Sequence, residues 1–160
     1  MSTVKAIPEG YHTITPTLVC RNAAKAIDYY KQVFGAKEIS RMDMGGMIGH
    51  AELQIGDSKL MLSDEFPGMV SAPGPDSPNS SALFLYSENV DDVFDRAVKA
   101  GATVTMPLAD QFWGDRYGKL RDPFGHHWGL AQHIEDVTHE ETERRSKEWM
   151  AKASKAAGQD

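Results

Sequence analysis

Asn22-Ala-Ala-Lys-Ala-Ile-Asp-Tyr-Tyr-Lys-Gln-Val-Phe-Gly35 is the stretch on which the reading of this chain turns. Asparagine is a strong helix N-cap, because its side-chain oxygen accepts from free first-turn amides. Ala26, Ile27, Tyr30, Val33 and Phe34 then recur at three- and four-residue spacing, which gives one apolar face. Gly35 supplies the left-handed conformation that ends a helix without steric cost. The same device returns as Asn89-Val-Asp-Asp-Val-Phe-Asp-Arg-Ala-Val-Lys-Ala-Gly101, with Val90, Val93, Phe94, Ala97 and Val98 as its apolar face. Asn22 to Asp28 and Asn89 to Asp95 are both six steps, and each helix is followed by Gly-Ala. Gly49 to Gly56 and Gly118 to Gly125 are both seven steps. Caps and spacings that agree at several places point to an internal duplication.

Working outward from each helix gives the same order of elements. Thr13 to Cys20 precedes the first as a short strand. Glu38 to Met42, Met47 to Ile55 and Lys59 to Ser63 follow it, with Gly56-Asp57-Ser58 as a tight turn. Ser81 to Ser87 precedes the second helix. Thr103 to Met106, Phe112 to Arg121 and His127 to His133 follow it, the last two joined through Asp122-Pro123-Phe124-Gly125. Both halves therefore read β-α-β-β-β, an α+β fold of tandem βαβββ modules. Residues 1–11 read as a polar lead-in and 12–135 as the domain, with module one at about 12–65 and module two at about 80–135. Between them, residues 66–79 hold Pro67, Gly68, Pro73, Gly74, Pro75 and Pro78, a linker or a loop over a cleft. Residues 136–160 form a charged tail. Thr138-His-Glu-Glu141 fits a capping box, and the helix behind it is expected to fade near Gly158. A solvated surface helix is the simplest reading, with docking of Trp149 and Met150 on a partner subunit as the alternative.

Bulk numbers narrow the function. With 160 residues, 41% hydrophobic and 25% charged, the chain suits one globular domain. A net charge of -6 argues against nucleic acid or an anionic membrane as a main partner. Cys20 is the only cysteine, which excludes a disulfide framework and cysteine-rich metal centres. No signal-like apolar segment opens the chain and no run reaches membrane-spanning length, so a cytoplasmic address is expected.

The residues now quoted carry a family likeness. Asn22 to Gly35 resembles the first helix of the vicinal-oxygen-chelate superfamily of glyoxalases, bleomycin-resistance proteins and dioxygenases, and Asp122-Pro-Phe-Gly-His-His-Trp128 resembles its final turn. Gly49-His-Ala-Glu-Leu53 and Trp113-Gly-Asp-Arg-Tyr-Gly118 are similar to its PhnB-like branch. The likeness implies curved half-barrel sheets around a cleft and a homodimer. It also implies four metal ligands, one on the first and one on the last strand of each module. Those positions fall at or next to Thr15, at Leu60 or Met61, at Ser81 or Ala82, and at Gly129. Leucine, alanine and glycine offer no donor, and a lone threonine or serine is poor, so no metal is expected at the usual positions.

Three further groups of residues suggest chemistry. His50 and Glu52 lie two apart on a strand and so face one way. With His126 they make a displaced set for a divalent metal such as zinc, nickel or iron, which would serve a lyase, isomerase or dioxygenase. Against this stands a polar strand face and a turn histidine bonded to backbone. Trp113, Asp115, Arg116 and Tyr117, with Trp128, are the candidate ligand-binding residues: aromatics stack on flat ligands and arginine clamps anions. Strand parity puts Trp113, Asp115 and Tyr117 on one face and Arg116 on the other, where structural ion pairing is the alternative. Trp128 suits core packing as well as ligand stacking. Met42, Met44, Met47, Met61 and Met69 are expected as core filler and one mobile loop. The leading expectation is a metal-independent protein that binds a small, partly aromatic or amphipathic molecule in its concave cleft.

Overall fold

The computed structural model describes residues 4–157 apart from Pro75 and Asn79, so the expected fading near Gly158 lies outside the described residues. The first module runs β1 (Thr17–Cys20), α1 (Ala23–Phe34), β2 (Lys37–Asp43), β3 (Ile48–Ile55) and β4 (Ser58–Asp64). The second runs β5 (Leu83–Tyr86), α2 (Val90–Lys99), β6 (Thr103–Asp110), β7 (Asp115–Arg121) and β8 (His127–His133), followed by α3 (His139–Ala157). Each module is its own four-stranded sheet, ordered β1-β4-β3-β2 and β5-β8-β7-β6. The first strand of each pairs parallel with the last, and the remaining pairs are antiparallel. This is the α+β architecture of duplicated βαβββ units that the sequence implies.

The start of α1 forms as its sequence dictates: Asn22 Oδ1 accepts from Lys25 N–H, and Gly35 closes the helix at φ 65°. α2 departs from the pattern. Asn89 Nδ2 donates to Asp92, and the free Val90 N–H is taken by Gln132 Oε1 at 3.3 Å. The helix closes at Ala100 rather than Gly101. The ladder of β1 begins at Thr17, not Thr13. Pro16, which has no N–H to give a ladder, precedes it, although its carbonyl still accepts from Met61 N–H. The expected Phe112–Arg121 strand starts only at Asp115, because Phe112 to Gly114 turn, with Gly114 at φ +98°. β6 instead runs past Met106 to Asp110, its ladder broken by register shifts around Pro107. At α3 half of the capping box forms. Thr138 Oγ1 accepts from Glu141 N–H, but the Glu141 carboxylate turns to Arg144 and Arg145.

Two carboxylates, Asp64 half-buried and Asp122 buried, tie the elements together. Within the first module, Asp64 accepts from Ala23 N–H at 2.8 Å and Ile48 N–H at 2.6 Å, tying α1 and β3 to the end of β4. Asp122, 3% exposed, accepts from Phe124 N–H, His126 N–H and Trp128 Nε1–H at 2.9 Å, and from the Tyr30 hydroxyl at 2.7 Å. A buried charge is tolerable only when so fully paired. The Tyr30 bond crosses between modules, as do the Tyr29 hydroxyl donating to Ala97 O and Arg96 donating to Val33 O. Tyr29, Tyr30 and Phe34 pack against Phe124 and Trp128 in the same seam. His126 Nε2 lies 2.9 Å from Val19 O, so an imidazole rather than another strand takes that β1 carbonyl.

Candidate functional site

Core contact alternates along β5 and β8 and separates two faces. In β8, Trp128 and Leu130 enter the core while Gly129, Ala131 and His133 face the other way. In β5, Leu83 and Leu85 pack on the core, leaving Phe84 and Tyr86 50% and 62% exposed on the open face. On β7, Asp115 and Tyr117 share that face. Phe84 and Tyr117 stack with ring centroids 5.1 Å apart and planes within 14°. Tyr86 lies 5.0 Å from Phe84, and Trp113 lies edge-on 5.8 Å from Tyr117. Phe112 continues the wall beyond Trp113 and meets Trp149 of α3 at 6.0 Å.

Asp115 is the polar centre of this wall. It is 4% exposed. Its Oδ2 accepts from the Tyr86 hydroxyl at 3.2 Å and Trp113 Nε1–H at 3.1 Å, and its Oδ1 lies 2.9 Å from His133 Nδ1. His133 Nε2 reaches Asp136 at 2.9 Å. The two carboxylates, Asp136 first and Asp115 second, hold the imidazolium form and raise the His133 pKa above its ordinary value. The result is an aromatic platform with a fixed, buried carboxylate at one end.

Three of the five expected binding residues, Trp113, Asp115 and Tyr117, are brought together. Arg116 is not among them: it points to the helix side, where it forms a bidentate pair with Asp91 at 2.7 and 2.8 Å and also bonds Asp110. Trp128 is 3% exposed, bonded to Asp122 and packed on Phe34, although its edge helps line a cleft of about 690 Å³ between the modules. Phe84, Tyr86 and His133 complete the platform. The sequence reading missed these three; the alternation of a Ser81–Ser87 strand is the signal that could have put Phe84 and Tyr86 on one side.

The expected metal positions carry no fitting donor set. Leu60 is in the core, and Thr15, Ser81 and Ala82 lie ahead of β1 and β5 rather than on them; the ladders instead set Thr17 beside Met61 and Phe84 beside Gly129 on the open faces. A hydroxyl, a thioether, a phenyl ring and a glycine do not suit zinc, nickel or iron. Gly129 is glycine for a visible reason: a Cβ there would lie 2.9 Å from Tyr117 Cε2 and 3.1 Å from Phe84 Cδ2. The aromatic pair occupies the space into which a ligand side chain would project. The displaced set is likewise not assembled within one chain. His50 Nε2 meets Glu52 Oε1 at 3.2 Å, but His126 is turned to Val19 O and Cys20 in the seam. Among the described residues no three His, Cys, Asp or Glu side chains converge on a point that could hold a metal. Beside Glu52 sits Tyr11, missed in the sequence. Its hydroxyl is buried without a well-formed hydrogen bond, and the neighbouring carboxylate pushes its pKa up to about 12. The methionines expected as core filler are not: Met42, Met44 and Met47 are 52%, 56% and 38% exposed. Cys20 is fully buried, which pushes its thiol up to about 12 and leaves it no nucleophile at neutral pH.

Comparison with known proteins agrees with this architecture. The family model described as Glyoxalase/Bleomycin resistance protein/Dioxygenase superfamily matches residues 11–130. The uncharacterized protein Mb0911c of Mycobacterium bovis is 42% identical over 133 residues, covering 80% of this chain and 88% of its own. The crystal structure of TioX from Micromonospora sp. ML1 is 30% identical and superposes with a TM-score of 0.61, covering 77% of this chain and 99% of its own. The PhnB protein from Bacillus cereus, at 22% identity, shares the fold with a TM-score of 0.59 over 76% of this chain and 99% of its own.

Proposed function

Because the chain belongs to the glyoxalase/bleomycin resistance protein/dioxygenase superfamily, we propose that it binds a small, partly aromatic or amphipathic molecule on the open face of its second sheet, without the superfamily's metal at the usual positions. The observation that carries this reading is the Phe84–Tyr117 stack standing over Gly129. A flat ligand gains from ring stacking on such a pair, each good aromatic contact adding about 0.5–1.5 kcal/mol beyond area burial. Asp115, already saturated by Tyr86, Trp113 and His133, fixes the rings' orientation. Preorganised rings lose little side-chain freedom on binding.

A homodimer goes with this reading. Phe84 and Tyr86 on one sheet and Met42, Met44 and Met47 on the other leave apolar groups in solvent, and a second copy would turn an open platform into an enclosed cleft. No helix among the described residues is long and apolar enough to cross a membrane. A cytoplasmic address belongs to the same proposal, supported by a lone unpaired Cys20.

The test is titration with planar probes, acridine, quinoline and naphthoate, followed by tryptophan fluorescence and repeated on Phe84→Leu and Tyr117→Leu. Saturable binding of at least one probe, weakened about tenfold or more in both variants, is expected from the loss of the stack. Binding that ignores both substitutions, or no binding up to millimolar probe, overturns the reading.

A further inference from the structure

The β2–β3 hairpin carries Met42-Asp-Met-Gly-Gly-Met-Ile-Gly-His50. Its tip is a two-residue loop in which Met44 N–H donates to Met47 O at 2.7 Å. Gly45 and Gly46 sit at φ 70° and 90°, as a mirror-image hairpin turn demands. Asp43 fastens the tip by accepting from Gly46 N–H at 3.0 Å. Met44 and Met47 therefore stand opposite each other on one face, and Met42, two residues back, shares it. The ladder then slips: Met42 pairs with His50 but Asp43 with Ile48, which leaves Gly49 as an extra residue in a bulge. Ile48 and Ala51 are both buried while the two residues between them are not, so the bulge turns Gly49 and His50 to the same open side.

The absence of a side chain at Gly49 lets the Met42 and Met44 side chains gather there, with Met47 placed on the same face by the hairpin pairing. A Cβ on Gly49 would lie 2.3 Å from Met44 Sδ and 3.3 Å from Met42 Cε. His50 is already oriented: its Nε2 faces Glu52 Oε1 at 3.2 Å. A carboxylate only accepts, so Nε2 carries a proton, and the nitrogen left to bind a metal is Nδ1. Outer-sphere carboxylates orient metal-binding imidazoles in this way.

Three thioethers and one neutral imidazole make a soft, uncharged donor set. Hard or borderline divalent ions want carboxylate, imidazole and thiolate, whereas thioethers select copper(I). We infer that this hairpin is a binding site for a soft monovalent metal ion, copper(I), held by the sulfurs of Met42, Met44 and Met47 and by His50 Nδ1. It lies on the first sheet and does not depend on the aromatic platform of the second.

The experiment is an anaerobic titration of the full chain with copper(I) against bicinchoninate as the coloured competitor, with silver(I) in parallel, read also by NMR of methionine methyl groups. The expected result is one equivalent of copper(I) withdrawn from the competitor. The methyl signals of Met42, Met44 and Met47 shift, and those of Met61, Met69, Met106 and Met150 stay in place. The double variant Met42→Leu/Met44→Leu keeps apolar volume but removes two of the three sulfurs, and should lose more than the roughly 10–100-fold that removing an outer-sphere partner costs. Failure to take copper(I) from bicinchoninate overturns the inference. So do equal affinity in the leucine variant, as a face used only for apolar docking would give, and shifts confined to the other methionines in the wild-type chain.

Discussion

Replacing Asp115 separates what its charge contributes from what its shape contributes. In Asp115→Ala three donors lose their acceptor. Tyr86 and His133 are partly solvated, 62% exposed and 53% exposed at the side chain, and recover water. Trp113 Nε1–H is half-buried and does not recover as readily. A hydrogen bond to a charged group contributes about 1.5–3 kcal/mol, so the alanine variant should lose about 2–4 kcal/mol once the two solvated partners are discounted. Asp115→Asn behaves differently. Its carboxamide oxygen at the Oδ2 position keeps Tyr86 and Trp113. Its amide then donates to His133 Nδ1, provided the imidazole proton moves to Nε2, where Asp136 accepts it at 2.9 Å. All three bonds survive without charge assistance, a loss of about 1 kcal/mol. Urea unfolding followed by tryptophan fluorescence and circular dichroism measures both, and nitrogen NMR of His133 reports the tautomer. An asparagine variant as unstable as the alanine one, or an alanine variant within about 1 kcal/mol of wild type, would refute the hub.

His133 sets a pH dependence. Its folded pKa is raised, so its stabilising contribution is fully present below the unfolded value near 6.5 and is lost as pH rises through the folded value. The stability gap between wild type and Asp136→Asn should accordingly be wider at acidic than at alkaline pH, which paired urea curves will show. Tyr30→Phe removes one of four donors from Asp122 and should cost about 1–2 kcal/mol, whereas Asp122→Ala strips the acceptor from all four and should cost at least about 3 kcal/mol in the same assay. The Cys20 thiol, pushed up to about 12, should resist iodoacetamide in the native chain at pH 8 and react fully in guanidinium, as mass spectrometry will count.

Local signals carried most of the fold. The Asn22 and Gly35 caps and the apolar stripe of the first helix depend on neighbours within a turn, and they formed where the chain says. Departures came where other partners took the capping groups: Asn89 turns to Asp92 while Gln132 of the last strand takes the Val90 amide, and Arg144 and Arg145, one turn on, draw Glu141 away from its box. The site was legible as far as strand parity reaches. Parity put Trp113, Asp115 and Tyr117 together and set Arg116 apart. It could not place Phe84 across from Gly129, since register between strands 45 residues apart is set by packing. Trp128 serves mainly the core, as its spacing allowed, because Asp122, six positions earlier, claims its indole N–H, and only its edge reaches the cleft. The exposed methionines were unreadable for a related reason: a bulge, invisible in composition, keeps them on the face away from the core.

The seam between the modules also fixes an order of events during synthesis. Every partner of the first helix within its own sheet has been made by Asp64, so that half can close on itself early. The seam partners of Tyr30 come late, with Asp122 lying 92 residues further on. At typical elongation of about 5–20 residues per second, a patch of Tyr29, Tyr30 and Phe34 waits uncovered on the nascent chain for roughly 5–20 seconds. Over that interval the growing polypeptide is a natural client for ribosome-associated chaperones, and a site where two emerging copies could exchange halves before either has finished its own.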